Sequence, residues 1–189
     1  MQILKIEIMK TKIQNLLLVT LLFFTCTLSA QWRSDEVLSD IENPENYTTI
    51  GLAQMDRNLS TFTNLIFISG LAPSMLMTDN HTVFIPTNEA FKKMQVKDFL
   101  YLTNPTNRAD LIKFLKYHFL PNKVMLSKFN SSQIIETQGG QQINVSYDEP
   151  FGTAYIGGAR IIKSDVKAKN GIIHVVDGVI TPTEDVIFN

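Results

Sequence analysis

The spacing of apolar residues changes period along this chain, from helical in its first part to alternating in its last. From Thr48 the pattern is helical: Ile50 and Ala53 share one face, and Leu59, Phe62, Leu65 and Ile66 form another. Ser60 is placed to cap the second run and Gly70 to stop it. Residues 71–77 are apolar but contain Pro73, which predicts an edge segment rather than a central strand. Val83-Phe84-Ile85 is a short apolar strand that Pro86 ends. Thr87 or Asn88 is placed to cap a following helix whose first turn carries Glu89. Val96 to Leu102 predicts a short helix closed by Asn104-Pro105. Leu111, Phe114, Leu115, His118 and Phe119 then fall on one helical stripe, with Asn107 as its cap and Pro121 barring continuation.

Beyond Pro121 the period becomes two. Ile143, Val145 and Tyr147 alternate with Asn144 and Ser146, and Ile134-Ile135 lies across Gly139-Gly140, which predicts a hairpin. Thr153 to Ile156 is a short strand ended by Gly157-Gly158. Ile162, Ser164, Val166 and Ala168 then face one way, and Lys163, Asp165, Lys167 and Lys169 the other. Asn170-Gly171 is the dipeptide of a two-residue hairpin turn, in which both central residues take positive φ. Residues 172–180 are apolar on both faces, the mark of a central buried strand. Helices first and strands last predict a single α+β domain, not an alternating parallel sheet.

The first thirty residues stand apart from this pattern. Lys10 and Lys12 precede the apolar run from Leu16 through Phe24, and Leu28-Ser29-Ala30 follows, the layout of a secretory leader cleaved after Ala30. The run is shorter than the ~20 residues of a spanning helix, so no membrane span is expected after cleavage. Residues 31–46 are polar and contain Asn43-Pro44, a linker. Without Lys5, Lys10, Lys12 and Glu7, the 17 basic and 18 acidic residues become 14 and 17, a mildly acidic balance. No Lys/Arg cluster suited to phosphates is present, so nucleic acid is not an expected partner. Cys26, the one cysteine, departs with the leader, so no disulfide or thiol chemistry is expected. The predicted location is secreted, periplasmic or cell-surface.

The sequence offers little catalytic chemistry. It has no Gly-x-Ser-x-Gly, no His-Glu-x-x-His and no glycine-rich phosphate loop between strand and helix. The three histidines, His81, His118 and His174, lack zinc-site spacing. His81 falls in a turn before a strand, His118 ends an apolar stripe, and His174 lies within an apolar strand, so no metal or cofactor is expected. Asp177 is the one acid in residues 172–180. A buried carboxylate needs a partner, and Gly178 or Asn88 is the expected one. Asn88, His174 and Asp177 are therefore read as polar residues that determine the fold. Glycosylation sequons at Asn46, Asn58, Asn80, Asn130 and Asn144 would matter only in a host that glycosylates, and Asn144 falls mid-strand.

The segments TVFIPTNEAF (82–91) and NGIIHVVDGVITP (170–182), with Tyr117-His118 between them, resemble the signature segments of the fasciclin-like domain family. The resemblance runs from Tyr47 to Pro182, which places a fasciclin-like domain at 47–183 and a tail at 184–189. Ile85 stands where a smaller residue is usual, and Phe119-Leu120-Pro121-Asn122 where Val-Val-Pro-Gly is common. The resemblance implies a wedge of two β-sheets with flanking helices, exported, free of cofactor and not an enzyme. It implies adhesion to a cell-surface, matrix-protein or carbohydrate ligand, with Tyr117 and His118 at the partner-binding position. A single module of this kind gains avidity by self-association or by attachment to another envelope component. The alternative is a small-molecule binder or enzyme with a helix–sheet pocket that uses His118 or His174.

Overall fold

Two strands that run parallel, β1 (His81–Pro86) and β7 (Gly171–Val176), lie side by side at the centre of the structure, and every residue of both is buried. The computed structural model describes residues 37–130, 132–148 and 152–182; the expected leader, the start of the linker and the tail lie outside the described residues. The central pair is in register from His81↔Gly171 to Pro86↔Val176. On the far side of β1 sits the two-residue strand β2 (Phe119–Leu120), antiparallel. On the far side of β7 runs β6 (Ala159–Lys167), followed outward by β5 (Thr153–Ile156), β4 (Gln142–Asp148) and β3 (Gln133–Glu136). The strand order is β2-β1-β7-β6-β5-β4-β3, and every pairing except β1 with β7 is antiparallel. The expected two sheets are thus continuous, joined where Tyr155↔Arg160 and Ile156↔Ala159 pair beside the Gly157-Gly158 turn.

The α+β class follows from the six α-helices that the described residues form beside this sheet: α1 (Thr49–Met55), α2 (Ser60–Ser69), α3 (Ala72–Met77), α4 (Asn88–Lys92), α5 (Val96–Thr103) and α6 (Arg108–Lys116). Local chemistry sets their ends. The Thr48 hydroxyl accepts from Gly51 N–H, and the Thr87 hydroxyl from Ala90 N–H. Gly70 closes α2 at φ 78°, and Arg108 Nε donates to Ser69 O at 2.9 Å, which ties α6 to that end. Phe62, Leu65 and Ile66 of α2 and Leu111, Phe114 and Leu115 of α6 join Phe84, Phe119, Ile173 and Val175 in one core.

Several local expectations are corrected. The edge segment expected at residues 71–77 is helix α3, because Pro73 falls in its first turn, where a missing N–H leaves no bond unmade. Helix α6 stops at Lys116, short of His118 and Phe119. Phe119 is drawn into the sheet, where it pairs with Val83 and accepts from Gln138 N–H at 2.8 Å. Asn107 sits at the expected cap position but donates to Tyr101 O instead. The alternation of β6 is broken by register shifts between Ile161 and Lys163 and between Lys163 and Val166, with Asp165 at φ 60°.

The Asn170-Gly171 signature also works differently from expectation. Reciprocal bonds between Ala168 and Gly171 make Lys169 and Asn170 the loop residues, and neither has positive φ. Asn170 is buried as a clasp: Oδ1 accepts from Thr49 N–H at 2.8 Å, and Nδ2 donates to Met75 O and Thr78 O, both at 3.2 Å. Gly171 is required by proximity, because a Cβ there would lie 2.5 Å from His81 O. Gly171→Ala should therefore force β7 away from β1 and cost about 2 kcal/mol. Urea unfolding measures this; a variant within ~0.5 kcal/mol of the parent would refute the close approach as the reason for glycine.

Candidate functional site

Helix α6 ends in a tight corner that carries both residues of the Tyr-His pair into the interior. Tyr117 N–H donates to Phe114 O and His118 N–H to Leu115 O, and His118 O accepts from Phe84 N–H of β1 at 2.9 Å. The His118 ring lies between Phe114 and Phe62, with ring centroids 5.0 and 5.5 Å away. Its Nδ1 faces Phe114 O at 3.1 Å and so carries the proton, while Nε2 accepts from Ile180 N–H at 3.1 Å. His118 thus fastens the chain after β7 to the end of α6. Tyr117 is 1% exposed and His118 0%, so both of the expected partner-binding residues lie in the core.

Above Tyr117 is a cleft of about 340 Å³, with Phe114, Tyr117 and Ile180 at its base and Lys93, Lys97 and Asp98 along its side. Helix α5 borders it and places three large apolar side chains in solvent: Val96 at 74%, Leu100 at 62% and Tyr101 at 40% exposure. Val96 and Leu100 are one turn apart and share a face. Tyr101 donates to Asp110 Oδ2 at 2.7 Å, and that bond holds its phenol above the usual tyrosine range. A second cleft of similar volume lies between residues 38–41 and 55–58. Its Asp56 is occupied by backbone, accepting from Leu38 and Asn58 N–H.

The other polar residues marked by the sequence serve different elements. His174 on β7 is buried against Phe84 and Phe129; Nε2 donates to Val124 O at 2.8 Å and Nδ1 accepts from Asp165 N–H at 3.2 Å. His81, expected in a turn, is the buried first residue of β1; Nδ1 donates to Thr78 O and Nε2 accepts from the Thr49 hydroxyl at 2.8 Å. Asn88 does not meet Asp177. It clasps the start of α2, accepting from Thr61 N–H at 2.9 Å and donating to Arg57 O at 2.8 Å. Asp177 is only half-buried, because the β6–β7 pairing brings Arg160 beside it. Its Oδ1 accepts from Arg160 N–H at 3.0 Å, and Oδ2 faces Arg160 Nε at 3.2 Å. The sequence reading missed Asn170 and Asp165: Asn170 had a sufficient turn explanation, and Asp165 sat within an apparently regular alternation.

No histidine lines the cleft, and each ring nitrogen has a structural partner. Among the described residues, no group of three or more His, Cys, Asp or Glu is placed to hold a metal, and no helix is long and apolar enough to cross a membrane. Burial lowers the pKa of all three imidazoles, that of His118 to about 4. In the unfolded chain each takes a proton near 6.5, in the fold only at lower pH. Their stabilising effect is therefore complete above 6.5 and is lost as pH falls below it. For His118 alone the loss by pH 4 is about 3 kcal/mol. Urea unfolding from pH 7 to pH 4.5 should show this decline. His118→Phe should cost about 2 kcal/mol at pH 7, by orphaning Ile180 N–H, and should flatten the slope below pH 6.5. An unchanged slope in that variant would contradict the assignment.

Comparison with known proteins agrees with this architecture. The fasciclin domain model matches residues 57–182. Protein sll1483 of Synechocystis sp. is 29% identical over 146 residues, covering 77% of this chain and 79% of its own length. Periostin of Homo sapiens is 26% identical over 155 residues, 81% of this chain but 18% of periostin. A solved FAS1 domain pair from the insect cell adhesion molecule fasciclin I shares the fold, with a TM-score of 0.53 at 20% identity over 74% of this chain and 51% of that one. The family match covers most of the described residues and both signature segments, and the chain belongs to the fasciclin domain family.

Proposed function

We propose that this chain is a non-catalytic adhesion module, exported by the leader-like segment at residues 1–30, that binds a cell-surface or matrix partner. In this reading the contact surface is the outer face of α5 and the adjoining cleft. Tyr117 and His118 act from beneath: Tyr117 forms the cleft base, and His118 holds Ile180 in place. The observation that carries the reading is the exposure of Val96, Leu100 and Tyr101 on one eight-residue helix, where folding alone would favour polar residues. Relatedness to a family that includes a cell adhesion molecule supports the same class of role. The aliphatic Val96 and Leu100 favour a protein surface; a carbohydrate would use chiefly the Tyr101 ring. The non-catalytic reading draws on the histidines, whose ring nitrogens are committed to structural bonds and so are poor candidates for a general base.

The test is binding of the full chain to a panel of matrix proteins and glycans, beside a Val96→Asp/Leu100→Asp double variant and Tyr117→Phe. The double variant alters exposed positions, so its stability should stay within about 1 kcal/mol of the parent. Its affinity for any bound member should fall at least ~10-fold, equivalent to about 1.4 kcal/mol. Tyr117→Phe should bind as the parent does. Retained affinity in the double variant would remove α5 from the interface, and no saturable binding to any member would contradict the adhesion reading.

A further inference from the structure

A cluster of bonds around His174 lies outside the adhesion reading and does not depend on it. Strand β6 departs from regular pairing between Lys163 and Val166, and Asp165 takes φ 60°, a conformation that non-glycine residues rarely hold. The departure turns Asp165 N–H toward the His174 ring, where it donates to Nδ1 at 3.2 Å. The opposite ring nitrogen donates to Val124 O at 2.8 Å, and the Asp165 carboxylate accepts from Leu126 N–H at 2.8 Å. His174 and Asp165 together therefore hold residues 122–129, which leave β2, against the sheet. Further ties of this segment are Thr82 Oγ1, bonded to Asn122 O and Val124 N–H, Phe129, packed on Phe84 and His174, and Val124 and Leu126, packed against the core.

The bonds of this cluster depend on the protonation of His174. With His174 neutral, Nδ1 is an acceptor and suits the Asp165 amide. With His174 protonated, Nδ1 becomes a donor facing a donor, and the carboxylate oxygen Asp165 Oδ1 lies 4.0 Å away. That same oxygen holds Leu126 N–H, so a carboxylate that moves to the imidazolium lets Leu126 go. Of the groups facing the ring (Phe84 from β1, Val124 and Phe129 from the segment, Asp165 from β6), only Asp165 carries a charge. The other two histidines differ: neither His118 nor His81 has a carboxylate within ion-pair distance among the described residues.

We propose that His174 and Asp165 form an acid-released latch: protonation of His174 exchanges the Asp165–Leu126 bond for a His174–Asp165 ion pair and frees residues 122–129 from the sheet. The freed segment uncovers apolar surface of Phe129 and Phe84, both buried in the structure. Burial opposes protonation and Asp165 favours it, so the release falls on the acid side of the ordinary imidazole range.

The experiment is an NMR titration of the full chain from pH 7 to pH 4.5, which follows the His174 ring nitrogens and the amide protection factors. In the parent, protection at Asp165 and Leu126 should fall at least ~10-fold further than that of the Val83 and Ile173 amides, which follow only the loss of global stability, as the His174 ring takes its proton. Asp165→Asn keeps an acceptor for Leu126 N–H and tolerates positive φ, but it removes the charge. Its release should move to lower pH, and the His174 titration should move with it. If Asp165 and Leu126 stay protected until β1 unfolds, there is no latch. If Asp165→Asn releases at the same pH as the parent, the carboxylate does not drive it.

Discussion

The parallel pairing of β1 with β7 is the constraint on which the rest of the molecule depends. It joins segments far apart in sequence, and a parallel ladder buried on both faces contributes nothing until the intervening chain is in place. The apolar residues that make it possible, Val83, Phe84 and Ile85 against Ile173, Val175 and Val176, leave no room for polar side chains except at defined exceptions. Those exceptions include Thr82 of β1 and the three histidines, at the start of β1, in the middle of β7 and at the corner beside β2. Each histidine carries a bond from the central pair or its flank to a neighbouring segment: α1 by His81, the chain after β7 by His118, and residues 122–129 by His174.

A neutral imidazole suits this work because it offers one donor and one acceptor on opposite sides of a flat ring that also packs against aromatics. His118 does this between Phe62 and Phe114, and His174 against Phe84 and Phe129. The same burial that makes these bonds strong makes the charged form costly. A fold tied by neutral histidines is therefore most stable at and above neutral pH. The imidazole nitrogens are committed to structural bonds, while exposed apolar side chains lie on several helices, among them Phe67 and Ile68 of α2, Leu76 and Met77 of α3, and Val96 and Leu100 of α5.

Much of this was legible in the sequence where a residue obeys a local rule. Pro86 ending β1, Thr87 capping α4, Gly70 closing α2 and the Gly139-Gly140 hairpin all act within a few residues of themselves. Position-dependent chemistry was harder to read. Pro73 looked like a strand breaker because its place in a helix was unknown, and in the first turn it breaks nothing. Asn170-Gly171 marks a turn in sequence, yet its asparagine is a tertiary clasp and its glycine makes way for His81 O. Asp177 and Asn88 each bond within the structure, but not to each other, and no spacing rule connects Asp177 with Arg160 or Asn88 with Thr61. The burial of His118 is half visible in the sequence, because it continues the apolar stripe of Leu111, Phe114 and Leu115 beyond the end of α6. The exposed face of α5 was not visible, because Val96 and Leu100 in sequence look like any other core residues of a short helix.

The claim that β1 and β7 are the unit on which everything else rests is tested most directly by native-state hydrogen exchange across a denaturant series at pH 7. The amides of Val83, Phe84 and Ile85 should share the highest opening free energy with those of Ile173 and Val175, equal to that of global unfolding, and should merge into one isotherm. Helices α2 and α6 should open no later than this pair. If either helix keeps its protection after β1 and β7 have exchanged, the centre of the fold lies in the helices and this account is wrong.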